Sequence, residues 1–154
     1  MRLFVDIATK WELHNLLLKP LDQPPLNDIV GFCTRTERGE VAGIIGFYGH
    51  RHGNIEGHMR GIRRVWASEK LFEISLDFVY NTLQVNRITA GVYSWNEPSL
   101  KVLRRLGFRK EGVLREYKGE SDLVIMGMLR RECKYINNGT LTKTEKVHSN
   151  KQGE

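Results

Sequence analysis

Apolar and polar positions divide the chain into short apolar runs separated by glycine-, proline- and asparagine-rich breaks. "RLFVDIA" reads as a first strand, and "TKWELHNLLLKPL" as a short helix opened by Thr9, whose hydroxyl suits an N-cap. Consecutive prolines in "DQPPLND" then break the structure. "DIVGFCTRT" and "EVAGIIGFYGH" are apolar, β-branched runs on either side of "ERG", which predicts a hairpin. A further turn is expected at Gly53-Asn54, so that "GFYGHRH" pairs back with "IEGHMRGI".

From Ser68 to Leu83 the period is helical. Leu71, Ile74, Ser75, Phe78, Val79 and Thr82 share one face, and Lys70, Glu73, Asp77 and Asn81 the other. "RITAGVYS" is a strand. "NEPSLKVLRRLG" is a second helix, with Asn96 as its cap, Pro98 in its first turn and Gly107 at its end. "FRKEGVLRE" and "DLVIMGMLRREC" form a closing hairpin around "YKGES". The order β-α-β-β-β-α-β-α-β-β predicts one mixed α/β domain over residues 1–136, with helices covering a sheet. Residues 137–154 are polar and non-periodic and are expected to be disordered; their Asn138-Gly139-Thr140 triplet reads as a chance match to a glycosylation site.

Composition narrows the class. A chain of 154 residues is one domain, large enough to bury roughly 70% of the surface its unfolded form exposes. Cys33 and Cys133 show no framework spacing and read as the reduced thiols of a cytoplasmic protein. "MRLFVDIATKWELH" has no long apolar core of a signal peptide, and no run approaches the ~18 apolar residues of a membrane span. The net charge of +6 clusters at Arg60/Arg63/Arg64, at Lys101/Arg104/Arg105/Arg109/Lys110 and at Arg130/Arg131. Such a balance suits an anionic partner, either a phosphate-bearing cofactor or, less favoured, nucleic acid. His50, His52 and His58 do not make a metal site: with a turn at Gly53-Asn54, His58 projects to the opposite face of the sheet from His50 and His52.

The segment "RITAGVYSWNEPSLKVLRRLGFRKEGVLRE", with Asn96, Ser99, Leu103, Leu106-Gly107-Phe108 and Glu111-Gly112 at its core, resembles the C-terminal half of the GNAT superfamily, the acyl-CoA-dependent N-acyltransferases. Within it, the chain looks most like the branch that acetylates N-terminal amines of ribosomal proteins, and "GMLRRECKYI" is similar to phage-encoded members. The resemblance implies the GNAT fold: a mixed, mostly antiparallel sheet splayed in its middle, with helices on both faces. It implies acetyl-CoA as cosubstrate and an amine as acceptor: a protein N-terminus, a lysine or a small molecule. A host or ribosomal protein would be a partner, in a host-cell cytoplasm, and the chain a monomer or homodimer.

The resemblance also places residues. The pyrophosphate would lie on the start of the Ser68–Leu83 helix, where amide donors are unpaired and the helix dipole is positive. The family loop, Gln/Arg-x-x-Gly-x-Gly/Ala, aligns with Ile62 at its leading position, Val65 at its first glycine and Ala67 at its last position. Val65 puts a branched side chain in the phosphate path. Val65, Trp66, Ala67 and Ser68 nevertheless keep their amide protons, and Arg63 and Arg64 are placed to add charge-assisted contacts. Met59 and Gly61 would meet the pantetheine, and Asn96 its amide arm. A tyrosine that protonates the leaving thiolate in many members is replaced here by Leu103, and Ser99 matches the serine that the ribosomal-protein branch uses instead. For the base, Glu116 lies near that branch's glutamate, with Glu56 and His58 as competitors; Glu111 reads as structural. Trp66 and Trp95 border the cleft, where stacking and packing are both open to them. The alternative to an enzyme is a catalytically silent protein of the same fold that binds a host protein or nucleic acid through its basic surfaces.

Overall fold

The computed structural model describes residues 2–136. The expected disordered tail and its Asn138-Gly139-Thr140 triplet lie outside the described residues. Strand β1 (Phe4–Ile7) leads into α1 (Lys10–Glu12), a π-helical stretch at Leu13–Leu18 and a 3-10 turn at Lys19–Leu21. β2 (Val30–Arg35), β3 (Val41–Arg51) and β4 (Asn54–Gly61) follow, then α2 (Glu69–Asp77), which widens into a π-helical turn at Phe78–Thr82. β5 (Arg87–Tyr93), α3 (Glu97–Leu106), β6 (Arg109–Lys118) and β7 (Ser121–Leu129) complete the order the sequence predicts. The seven strands form one sheet in the order β1-β2-β3-β4-β5-β7-β6. Every neighbouring pair is antiparallel except β4–β5, which is parallel.

That parallel pair is also the short one. β4 meets β5 only at Asn54↔Arg87, Ile55↔Ile88 and Glu56↔Thr89, although both strands continue. On their other sides, β3 and β4 stay paired to Gly43↔Gly61, and β5 and β7 to Tyr93↔Leu123. The sheet is therefore a fork. Its closed end is bolted by polar contacts: Thr89 Oγ1 donates to Asn54 Oδ1 (2.6 Å), as does Arg87 Nε (3.2 Å). Arg87 also binds Glu111 of β6 through Nη2 (3.0 Å to Oε1), the structural part expected of that glutamate. Backbone amides of Asn86 and Arg87 share the carbonyl of Gly53 at 2.7 and 3.2 Å.

Helices cover both faces. Leu13, Leu17 and Leu18 pack with Ile29, Cys33 and Ile44 on one side. On the other, Leu71, Phe72, Leu76 and Val79 of α2 and its continuation meet Leu100, Leu103 and Leu106 of α3 over Ile45, Ile88 and Met126. Local signals set the ends. Thr9 forms a capping box with Glu12, and Ser68 accepts from the Leu71 amide (3.3 Å). Gly107 is left-handed (φ 115°), and Phe108 N–H returns to the Leu103 carbonyl at 3.0 Å. The buried face of α2 is wider than the periodicity predicts: Phe72, Leu76 and Tyr80 are buried, while Thr82 is exposed because the π-helical turn rotates it outward.

The β3–β4 turn falls one residue before the expected Gly53-Asn54. Arg51 stands opposite Asn54, with His52 (φ 53°) and Gly53 (φ 78°) at the tip. Positive φ at both central positions is what a hairpin of right-twisted strands requires, and glycine takes the second of them here. Between Tyr48 and Arg51 the register also shifts; a turn at Gly53-Asn54 would put His50 opposite Gly57, but Phe47 stands there, and Tyr48 faces Glu56.

Between β4 and α2, the indole of Trp66 lies over the cross-strand pair Gly43 and Gly61. A Cβ at Gly43 would come within 2.4 Å of the ring, and one at Gly61 within 2.3 Å. Trp66 also meets Phe72 edge-on (centroids 6.1 Å apart), and its carbonyl accepts from Thr34 Oγ1 at 3.1 Å. A rigid ring seated in a two-glycine gap fixes where α2 begins. Gly43→Ala is accordingly expected to destabilise the protein by about 1–3 kcal/mol, the ordinary cost of overpacking. Urea unfolding of wild type and variant measures the loss, and equal midpoints would show that the seat is loose.

Candidate active site

The fork opens into a cavity of about 340 Å³ lined by side chains from both faces of the sheet. Side chains alternate along a strand, so the two sides of the opening have different chemistry. On the side of α2 and α3, the walls are Phe72, Ser75, Leu76, Asn96, Ser99 and Leu103, with Met59 of β4 and Val92 of β5. Asn96 caps α3 through Oδ1, which accepts from the Ser99 amide (3.4 Å), leaving its Nδ2 donor for other use. Ser75 Oγ is fully buried and has no protein partner among the described residues. Beyond Glu56 the β4 edge that faces β5 has no strand partner, so backbone groups along that edge open into the gap.

On the other side, the lining is Tyr48, Glu56, His58, Thr89 and Tyr93, continued by Leu21, Leu114, Tyr117 and Leu123. Tyr48 Oη lies 3.0 Å from His58 Nε2, and the two rings are near parallel. Burial pushes the His58 imidazole below its ordinary value, opposed in part by Glu56. Burial and the neighbouring Glu56 carboxylate push the Tyr48 phenol up, so it stays protonated. The hydroxyl of Tyr48 also reaches the Glu56 carboxylate, so Glu56, Tyr48 and His58 form one hydrogen-bonded row on this face. Tyr93 stacks on the exposed Trp95, centroids 5.6 Å apart and planes 5° from parallel. Trp95 thus backs the wall, while Trp66 takes the packing role.

The structure brings Ser99, Asn96 and Met59 together at the cavity. Gly61 is away from it, beneath the Trp66 indole. Glu116 is also outside the lining. It is exposed, at φ 50° in an irregular stretch of β6 between Leu114 and Lys118, and its amide donates to Asp122 Oδ1 (2.8 Å). That irregularity breaks the simple alternation by which a sequence position assigns a strand residue to a face. Its competitors Glu56 and His58 are the ones at the cavity. Sequence reasoning missed Tyr48, Tyr93, Tyr117 and Ser75 as lining. Only the fold brings the three tyrosines together, and a serine on an apolar helix face was the one local signal.

Around the start of α2, Val65, Trp66, Ala67 and Ser68 have amides that donate to no protein acceptor among the described residues. The amides of Glu69 and Lys70 lie in the first turn, where no intrahelical acceptor exists. Val65 is exposed. Arg63 pairs with Glu40, Arg60 Nη1 reaches the Leu16 carbonyl (3.0 Å), and Arg64 is exposed. Among the described residues no three histidine, cysteine or acidic side chains converge as a metal site. No helix there is long and apolar enough to cross a membrane.

No family model matches the chain. An uncharacterised N-acetyltransferase of Bacillus licheniformis is 38% identical over 107 residues, 62% of this chain and 59% of that protein. A prophage-derived uncharacterised N-acetyltransferase of Bacillus subtilis is 31% identical over 117 residues, 73% of this chain and 62% of that protein. The chain thus spans less than two thirds of the length of either relative. Among solved structures, spermidine N-acetyltransferase from Vibrio cholerae in complex with CoA and spermine superimposes with a TM-score of 0.67 at 17% identity, covering 88% of this chain and 98% of that one. The fold is that of the GNAT acetyltransferases.

The half-buried His58 gives a pH signature. An unfolded chain takes up the imidazole proton near the ordinary 6.5, whereas the folded chain resists it. Acidification below that value therefore favours unfolding, and stability falls as pH drops, by at most ~1.4 kcal/mol per pH unit from this one group. His58→Gln keeps a hydrogen-bonding side chain beside Tyr48 but does not titrate. Urea unfolding between about pH 7 and about pH 5 is expected to show a shallower loss in that variant. Parallel curves would mean that His58 is protonated freely in the folded state.

Proposed function

We propose that this chain transfers an acetyl group from acetyl-CoA to a primary amine. The observation that carries the reading is the cavity through the fork, which lets two substrates enter from opposite faces and meet between β4 and β5. The fold, the names of the relatives and the CoA bound in the spermidine N-acetyltransferase all support it.

In this reading the open edge of β4 near Met59 and the Nδ2 of Asn96 hold the pantetheine arm, and the free amides from Val65 to Lys70 hold the pyrophosphate. Arg64 adds charge, while Arg63 is engaged by Glu40. Glu56 takes the proton from the acceptor ammonium, directly or through water, and so frees the nitrogen lone pair. A C–N bond then forms to the thioester carbonyl carbon and the C–S bond breaks. Ser99 hands its hydroxyl proton to the leaving thiolate and recovers one from the attacking nitrogen. The chemistry itself serves a protein N-terminus such as that of a ribosomal protein, a lysine or a small-molecule amine alike, so the pocket must choose among them; a phage origin accords with the prophage derivation of one relative. The non-catalytic alternative is not favoured: Arg104 and Arg109 of its basic surface are in ion pairs with Glu97 and Glu132.

Calorimetry with acetyl-CoA and thiol-release assays on an amine panel test the reading. Glu56→Gln and Ser99→Ala are each expected to lower kcat by roughly 10²–10⁴-fold with acetyl-CoA affinity retained, while Glu116→Gln keeps full activity. Loss confined to the Glu116 variant would reverse the assignment of the base. Val65→Gly should tighten acetyl-CoA binding, because it clears the path to the loop amides; unchanged affinity would show that the valine obstructs nothing.

A further inference from the structure

The acceptor side of the cavity has a composition that selects among amines, a selectivity that rests on the transferase reading above. Its rings are Tyr48, Tyr93 and Tyr117, and its aliphatic walls are Leu114 and Leu123. Glu56 is the one carboxylate in the lining among the described residues. Nearby, burial disfavours the charged form of His58, and Asp28, which accepts from the Gly49 amide (2.8 Å) and acts on Tyr48 from a distance, lies outside the lining. Asp22 pairs with Lys118 (2.9 Å). That pair ties the segment after α1, whose Leu21 lines the cavity, to the β6–β7 hairpin, whose Tyr117 lines it too.

Such a pocket balances one positive charge. A primary ammonium finds Glu56 as its counter-ion and then as its base, and aromatic faces add cation–π attraction. The rest of the acceptor must lie against tyrosine rings and leucines, where apolar and aromatic groups gain from burial. A second or third ammonium would lose water in the same space without a carboxylate to replace it, a heavy cost for any charge. We infer that the acceptor is a small monoamine with an apolar or aromatic body, and that polyamines such as the spermine bound by the structural neighbour are rejected.

The test uses the full chain with saturating acetyl-CoA and three acceptors: phenethylamine, spermidine and a short peptide with a free N-terminus. Phenethylamine is expected to exceed spermidine in kcat/KM by roughly tenfold or more, the order of the penalty for one unpaired buried polar group. Leu114 is half exposed at the rim, and Leu114→Glu supplies a second carboxylate where the fold tolerates one. This variant should shift the ratio toward spermidine by about 3–10-fold, as expected for one added, partly screened charge pair. Acetyl-CoA binding with spermidine or the peptide preferred, or with no acceptor used, overturns the monoamine class and leaves cofactor recognition standing. Absence of acetyl-CoA binding by calorimetry overturns the transferase reading, and the monoamine class with it. A Leu114→Glu enzyme whose ratio does not move would show that charge count in this pocket is not what discriminates.

Discussion

The three-residue pairing of β4 with β5 is the constraint on which the remaining architecture depends. Each strand is held along its outer side, β4 by β3 and β5 by β7, so neither is free to close the gap. The closed end is secured by Asn54, Thr89, Arg87 and Glu111, in contacts that cross from β4 to β6. Two stiff blades joined at one end make a fork rather than a continuous sheet. A cavity results, because side chains from α2 and α3 do not fill the space between the tines. Polar groups paired with one another at the hinge, and polar groups without strand partners at the opening, are the division expected if the hinge sets geometry and the opening receives ligand.

Position of the α2 start depends on a different contact. The chain leaves β4 at Gly61, and the Ile62 and Arg63 amides both bond the Ala42 carbonyl at 2.8 and 2.9 Å. Trp66 then drops onto the Gly43–Gly61 pair, so the loop is clamped to the sheet before the helix begins. A glycine-rich loop brings its amides to a phosphate by conformational freedom. Here a tryptophan plug achieves a fixed loop, and the glycines have moved to the sheet beneath it. Val65, next to the plug, is left pointing outward and exposed, which reconciles its branched side chain with a loop whose following amides are unpaired.

Much of this was legible in the sequence, and the misses share a cause. Element order, the helix openings at Thr9 and Asn96 and the Gly107 terminus were readable because each is a local decision between neighbours. The parting of β4 and β5 was expected from resemblance alone, since no periodicity distinguishes a paired strand from an unpaired one. Errors arose where the strict alternation of a strand fails. The turn at His52-Gly53 and the irregularity after Tyr48 together put Phe47 opposite Gly57, and the irregular stretch of β6 leaves Glu116 outside the cavity lining. The cavity tyrosines come from β3, β5 and β6, and the placement of β7 between β5 and β6 helps to gather them.

Unspent hydrogen-bonding capacity locates the site more sharply than residue type does. A folded chain pairs nearly all of its buried polar groups, so those left over need a reason. Among the described residues the buried side-chain atoms without a partner are His14 Nδ1, in the stretch after α1, and Ser75 Oγ in the cavity wall; along the fork the loop amides from Val65 to Ser68, the β4 edge beyond Glu56 and Asn96 Nδ2 add further unspent capacity. Asn96 shows the logic on a single side chain. Its oxygen is consumed by the helix cap, so only its amide donor remains, and what it meets in the cavity must present an acceptor such as a carbonyl. Donors in the loop likewise call for an anion, and an unpaired strand edge calls for alternating amide groups. An elongated ligand with an anionic end and an amide-bearing arm meets all three demands, whereas a compact apolar ligand meets none of them.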